Sequence, residues 1–256
     1  EILRCLVGSE MCIRDSNMSG HSKWSTIKRK KGLIDAERGK IFQKLTKEIY
    51  VAAKNGDPNV ESNPSLRMIV DKAKAANMPK DRIQAAIDKA SKSVGGEDYE
   101  FVRYEGYGPN GVAIMVDCLT DNRNRTASMV RSTFTKRGGN LGTDGSVSYM
   151  FERKGVIVLP NTYDEETLMN IALENDALDF VSLDDSYEIY TTFEDFIKMN
   201  KALEEAGITE FIMNEARYIP ANYISLDEEK ANKILALVEA LEDLEDVQDV
   251  YHNLEV

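Results

Sequence analysis

The chain has few of the residues that metal centres, nucleophilic sites and disulfide frameworks are built from. Its 256 residues include three cysteines and two histidines. Cys5 and Cys12 fall within the first 17 residues, EILRCLVGSEMCIRDSN, which fit nothing that follows. Their apolar run, Ile2 to Val7, is broken by Arg4 and makes a poor signal-peptide core. The segment resembles translated sequencing-adapter read-through, so Met18 is the expected start and residues 1–17 are set aside from fold reasoning. Cys118 then stands alone, which excludes a disulfide framework and suits a reducing compartment. His21 and His252 lie at opposite ends of the chain, and H-E-x-x-H, C-x-x-C and G-x-S-x-G are all absent. No metal site, cofactor or catalytic residue is therefore expected. No stretch approaches the roughly 18 to 20 apolar residues that span a bilayer.

What the chain does have is charge, unevenly placed. The net charge is −12. Residues 19–94 hold 17 Lys+Arg against 8 Asp+Glu, whereas residues 95–256 hold 13 against 33. A +9 segment beside a −20 body points to a polyanion-binding module whose acidic neighbour orients it on its target. The basic segment opens with GHSKW (Gly20 to Trp24) and the run Lys28-Arg29-Lys30-Lys31, and continues past Arg38 into KIFQKLTKEIYVAAK, Lys40 to Lys54. On a helical wheel Ile41, Phe42, Leu45, Ile49, Ala52 and Ala53 share an arc of roughly 120°. Lys40, Lys44, Lys47 and Lys54 lie opposite, within about 80°. One face packs and the other presents ammonium groups.

The periodicities give an α+β chain: an N-terminal three-helix domain, then two ferredoxin-like α/β sandwiches, the last inserted into the middle one. The first helix ends at Asn55-Gly56, a left-handed cap signal. Asn63-Pro64 reads as N-cap and first residue of the second helix. Met78-Pro79 separates the second helix from the third, and Gly95-Gly96 reads as a hinge. Strands are expected over 99–107 and 112–118, followed by a polar loop, TDNRNRT (Thr120 to Thr126), that opens a helix. The glycine-rich passage 138–151 is expected to end in a further strand. From Gly155 the pattern is βαββαβ. Thr162/Glu165 and Ser225/Glu228 show capping-box spacing, and one strand is expected over 208–219. The tail supplies one more helix and strand, which need a partner. Counting elements assigns 96–153 plus 221–256 to one discontinuous domain, 154–220 to the inserted one and 18–95 to the helical one.

Several motifs have a plain structural reading. GYGPNG (Gly106 to Gly111) matches G-x-G-x-x-G, but a strand follows where a dinucleotide site needs a helix, so a hairpin is expected. The passage 138–145 lacks the P-loop lysine; a backbone nest for phosphate is the other reading. The pairs Glu242-Asp243 and Glu245-Asp246 read as solvated helix faces. The basic stretch withstands the same scrutiny best. Although exposed lysines are common, here they are dense and include Trp24, whose ring can stack on an unpaired base. The candidate nucleic-acid contacts are Lys23, Trp24, Lys28, Arg29, Lys30, Lys31, Arg38, Lys40, Lys44 and Lys47. Arg123 and Arg125 form a second point, with pairing to neighbouring carboxylates as their alternative.

GHSKW (20–24), RGKIF (38–42), DKAKAANMPKD (71–81), RYEGYGPNGVAI (103–114), TDNRNRT (120–126) and GGNLG with GSVSYMF (138–151) closely resemble the YebC/PmpR family. The resemblance covers essentially all of 18–256. It implies three domains around a cleft and a cytoplasmic bacterial protein, or an organellar one in eukaryotes. It also implies a non-enzymatic DNA-binding transcriptional regulator or, alternatively, a ribosome-associated factor that binds ribosomal RNA and relieves stalling at proline-rich sequences. It supplies no catalytic residue. An enzyme working in the interdomain cleft and a pure protein scaffold are the remaining rivals.

Overall fold

The structure, a computed structural model, describes the backbone of residues 34–92 and 98–255 and the side chains of 39–91 and 98–255. Three helices come first: α1 (Ile34–Asn55), α2 (Pro64–Ala75) and α3 (Lys80–Lys92). They bury Leu45, Ile49, Tyr50 and Ala53 of α1 against Leu66, Val70 and Ala73 of α2 and Ile83, Ala86, Ile87 and Ala90 of α3. Each fully buried large side chain, such as Ile49 or Leu66, contributes roughly 1.5–3 kcal/mol. Asn63 caps α2 by accepting from Leu66 N at 3.0 Å. Its amide also donates to Ala52 O at 3.0 Å and Asp57 O at 2.9 Å, tying the loop back to α1.

The first sheet has strand order β3-β1-β2-β8, from β1 (Glu100–Tyr107), β2 (Ala113–Thr120), β3 (Asn140–Leu141) and β8 (Val247–His252). The β1–β2 hairpin turns through Pro109–Gly111, with Asn110 and Gly111 at φ 60° and 79°. GYGPNG is thus a strand corner that leads into a strand. Gly106 is required there for another reason: a Cβ would lie 2.6 Å from Asn140 O on the neighbouring strand. Every residue of β2 is buried. Ile114, Val116 and Cys118 pack under α4 (Arg123–Lys136) and α7 (Glu228–Glu242), against Val130, Phe134, Ile234, Leu237 and Leu241. Ala113 and Met115 face the other way, onto Val147, Phe151 and Tyr251. A strand buried on both faces reads as an apolar run, as Val112 to Val116 does.

The second sheet has order β5-β6-β4-β7, the split βαβ arrangement, all antiparallel. It comprises β4 (Phe151–Pro160), β5 (Asp179–Ser182), β6 (Ser186–Thr192) and β7 (Met213–Pro220), with α5 (Glu165–Glu174) and α6 (Phe196–Glu205) on one face. Ile157 and Leu159 meet Leu168, Met199 and Leu203 of those helices. The chain is therefore mixed α+β, and the second sheet is inserted between the strands of the first. The sheets meet where Tyr218 and Tyr251 pack edge-on, 5.4 Å between ring centres. There Arg103 stacks 4.3 Å from Tyr218 while holding Asp117 at 2.7 Å and 2.9 Å.

The expectations need correction at several elements. The strand expected at the end of the glycine-rich passage is instead a two-residue β3 and a short 3-10 turn at Ser148–Met150; Phe151 opens β4 of the other sheet, opposite Pro220. β7 starts at Met213, not at 208. The N-caps of α5 and α7 are Asp164 and Asp227, two residues past Thr162 and Ser225. Each accepts from the amide three residues on, at 2.9 Å in both cases. The expected hinge at Gly95-Gly96 lies outside the described residues.

Candidate nucleic-acid interface

The lysine face of α1 carries Lys40, Lys44 and Lys47 at helical spacing. It does not simply face solvent. All three side chains reach the end of α7 and the loop leading into β8. Lys40 Nζ pairs with Asp243 at 2.7 Å. Lys44 Nζ donates to the carbonyl oxygens of Glu242 at 3.1 Å and Gln248 at 3.5 Å. Lys47 Nζ meets Asp246 at 3.2 Å and Glu245 at 3.4 Å. Its side chain is only 13% exposed and that of Asp246 only 6%. The exposed ammonium face read from the sequence is thus corrected: these lysines dock the helical domain onto the acidic body. The carboxylate pairs 242–243 and 245–246 are corrected with them, since they receive a neighbouring domain.

Asp246 is the centre of this contact. It takes Lys47 from α1, Arg125 at 2.9 Å and Thr126 at 2.8 Å from α4, and Thr120 at 3.3 Å from β2. Burial raises its carboxyl, but the hydrogen bonds from Arg125, Thr126 and Lys47 outweigh burial and hold it below the ordinary aspartate range. A second cluster lies beside it. Burial pushes the Glu48 carboxyl up, against the pull of Lys72. Desolvation lowers the Lys72 ammonium, yet Asp249, Glu48 and Glu215 outweigh it and hold Lys72 above the usual lysine value.

The second predicted point divides. Asn122 caps α4 by accepting from Arg125 N at 3.1 Å, so the helix opens inside TDNRNRT. Arg125 pairs with Asp121 at 2.7 Å as well as with Asp246. Arg123 is exposed, and its carbonyl accepts from Tyr104 OH at 3.1 Å. Lys23, Trp24, Lys28, Arg29, Lys30 and Lys31 lie outside the described residues; Arg38 lies on α1, but its side chain is not described.

The glycine-rich loop does form an anion nest, and the protein fills it. Glu105 of β1 is buried, and its carboxylate accepts from the amides of Gly145 at 2.9 Å, Val147 at 2.7 Å and Ser148 at 2.8 Å. Burial raises Glu105, but those three amides outweigh it and the carboxyl is held below its usual range. A phosphate has no place there. The Cys118 thiol, pushed up to about 12 chiefly by burial, stays protonated under the apolar face of α4.

Asp243 and Asp246 are the site residues that sequence reasoning missed. The available signal was complementarity: lysines at 40, 44 and 47 match a short acidic segment at 242–246 that is followed by the apolar Val247.

Comparison with known proteins finds matches to both the helical and the α/β parts of the chain. The N-terminal domain description of TACO1/YebC proteins matches residues 22–93, and the description of their second and third domains matches 99–254. A protein of Hathewaya histolytica is 54% identical over 240 residues, covering 93% of this chain and 97% of the relative. One of Geobacillus thermodenitrificans is 52% identical over 241 residues, covering 93% and 97%. Both carry the name "Probable transcriptional regulatory protein". The crystal structure of a conserved hypothetical protein from Aquifex aeolicus superposes with a TM-score of 0.77 at 46% identity, over 87% of this chain and 92% of that one. With these two descriptions matched over residues 22–93 and 99–254, the chain belongs to the TACO1/YebC family.

Proposed function

We propose that this protein is a non-enzymatic, cytoplasmic regulator of gene expression that binds nucleic acid, and that its target is DNA. The observation that carries the reading is charge segregation: +9 over residues 19–94 beside −20 over the rest. Within the basic segment the lysines of α1 are engaged by carboxylates and carbonyls of the body. Phosphate contact is therefore assigned upstream, to Lys23, Lys28, Arg29, Lys30, Lys31 and Arg38. Residues 23–34 contain no acidic residue at all. Lysine and arginine neutralising phosphates release counterions, so affinity should fall steeply with salt, about 0.9 log unit of affinity per log unit of salt for each duplex phosphate contacted. The test is binding of the full chain to duplex DNA across a salt series. A steep linear fall supports the reading, and affinity that stays flat would overturn it.

A second reading is favoured by Trp24 alone. The only tryptophan lies beside Lys23 in a basic run, and an aromatic ring stacks on an unpaired base, which a single-stranded loop of ribosomal RNA offers and duplex DNA does not. Co-sedimentation with ribosomes that is lost in Trp24→Ala, with duplex binding unaffected, would move the target from DNA to ribosomal RNA.

A further inference from the structure

The acidic body contains one basic helix of which only the first turn, with Arg123 and Arg125, has been considered as a nucleic-acid contact. Residues 95–256 hold 13 lysines and arginines. Eight of them, Arg103, Arg125 and Arg217 among these, pair with a carboxylate of the same region. A ninth, Arg153, lies 3.9 Å over the ring of Phe193. The remaining four are Arg123, Arg131, Lys136 and Arg137. All four are exposed, none forms an ion pair with a described residue, and all belong to α4 or its C-cap. Of the five cations of the body that form no ion pair with a described residue, four therefore gather on one helix and its cap.

The helix is made to match. Its sequence, RNRTASMVRSTFTK, contains no aspartate or glutamate. Thr126, Val130 and Phe134 hold the inner face. On the outer face Asn124, Arg125, Ser128, Arg131, Ser132, Thr135 and Lys136 share an arc of roughly 140°, and Arg123 and Arg137 stand outside that arc, at the two ends of the helix. Their cations, amide and hydroxyls are the groups that contact sugar and phosphate, and the 14 residues extend about 21 Å.

Helix electrostatics does not account for this composition. Lys136 and Arg137 suit a helix C-terminus, but Arg123 stands at the N-terminus, where the dipole disfavours a cation. α5 and α7 open with Glu165-Glu166 and Glu228-Glu229, whereas the first turn of α4 has no acidic residue. Position favours the same partner. Asp246 holds Arg125 of α4 and Lys47 of α1 at once, so α4 begins beside the helix that follows the basic N-terminal segment.

We infer that the outer face of α4, with the exposed arginines at its two ends, is a second binding surface for the sugar–phosphate backbone, engaged by the same nucleic acid as the N-terminal basic segment. This rests on the nucleic-acid reading above and adds a site to it. Arg131, Lys136 and Arg137 carry no recognisable motif; the absence of any carboxylate over residues 122–137 is the sequence signal that marks them.

The test compares the full-length protein with R123Q/R131Q/K136Q/R137Q, and with K198Q/K201Q/K233Q as a control that removes three paired surface lysines. Each is titrated with duplex DNA, duplex RNA, single-stranded RNA and poly-glutamate across a salt series. These side chains are exposed, so equal melting temperatures confirm that all variants fold. The quadruple variant should lose up to about 3.6 units of log–log salt slope on a duplex, or about 2.8 on a single strand, at about 0.9 and 0.7 per phosphate. The control should keep the wild-type slope. The nucleic acid that shows the full loss identifies the backbone source. An unchanged slope in the quadruple variant, with steep wild-type binding, overturns this surface and leaves the N-terminal reading standing. No wild-type binding to any nucleic acid overturns both. Equal binding of poly-glutamate, lost in the same variant, would assign the face to an acidic protein and overturn the nucleic-acid assignment.

Discussion

Helices α1 and α4 are both basic and both amphipathic, and on a helical wheel they look like the same device. The fold treats them oppositely. The lysines of α1 meet Asp243, Asp246 and the carbonyls around them, some 200 residues away in sequence. Arg123, Arg131, Lys136 and Arg137 of α4 and its cap form no ion pair with a described residue, although they stand in the more acidic part of the chain. A dense basic face is therefore weak information about ligand binding until the internal partners are counted. Charges with partners position domains; charges without them are available to a ligand. This contrast has four consequences that measurement can break or sharpen.

The largest expected effect is at Asp246, where the two helices meet. Replacing it with alanine leaves the nearly enclosed Lys47 ammonium with Glu245 alone and removes one acceptor of the buried Thr126 hydroxyl, which retains Thr120 and the Asn122 carbonyl. Stranding the partner of a buried ion pair is costly, and Asp246→Ala should destabilise the protein by about 2–4 kcal/mol in urea unfolding. A loss below about 1 kcal/mol would show that α1 is not docked through this carboxylate. The same group sets a pH dependence. Its carboxyl is held below the ordinary value of 3.8, so its contribution is fully present above pH 3.8 and is lost as pH falls through the depressed value. Asp246→Asn should flatten that acid limb relative to wild type in melting temperatures taken from pH 6 downward.

Glu105 tests the rule from the anion side. The loop after α4 offers three amides to an anion, as a phosphate nest does, and the protein's own carboxylate takes them. Glu105→Ala should destabilise by about 1–3 kcal/mol, the cost of orphaning buried donors. It should also accelerate hydrogen exchange at Val147 and Ser148. If added phosphate slowed that exchange again in the variant but not in wild type, the nest would be shown to accept external anions once emptied.

How far the fold could be read in advance follows from how local its causes are. Asn63-Pro64 and the 106–111 hairpin were legible because cap and turn chemistry lie within a few residues. The second sheet was legible from its βαββαβ periodicity, and the place of β8 from the arithmetic of an unpaired strand. The capping boxes at Thr162 and Ser225 were displaced because an aspartate two residues later accepts from the first turn more directly. The extent of β4 was missed because Phe151 is drawn into the second sheet by Pro220, a partner 69 positions on. The role of Lys40, Lys44 and Lys47 was hidden for the same reason on a larger scale. Helical periodicity shows that a face exists, and only tertiary structure shows what stands opposite it.

The smallest expected effect separates docking by many weak contacts from docking by one strong one. Lys40 and Asp243 form a short pair, but their side chains are 50% and 52% exposed. Water screens such a pair, and holding two long side chains in register offsets much of the attraction, so Lys40→Ala should cost only about 0–1 kcal/mol. That cost should shrink further as salt is raised, because the Debye length falls to about 3 Å at 1 M. Lys47, largely enclosed with Asp246, should keep most of its contribution under the same conditions. A double-mutant cycle on each pair at low and high salt measures the difference. If the Lys40–Asp243 coupling equals or exceeds that of Lys47–Asp246, then the exposed end of α1 is what holds the helical domain. Lys40 would then be tied up as firmly as Lys47 and would not be available to a ligand.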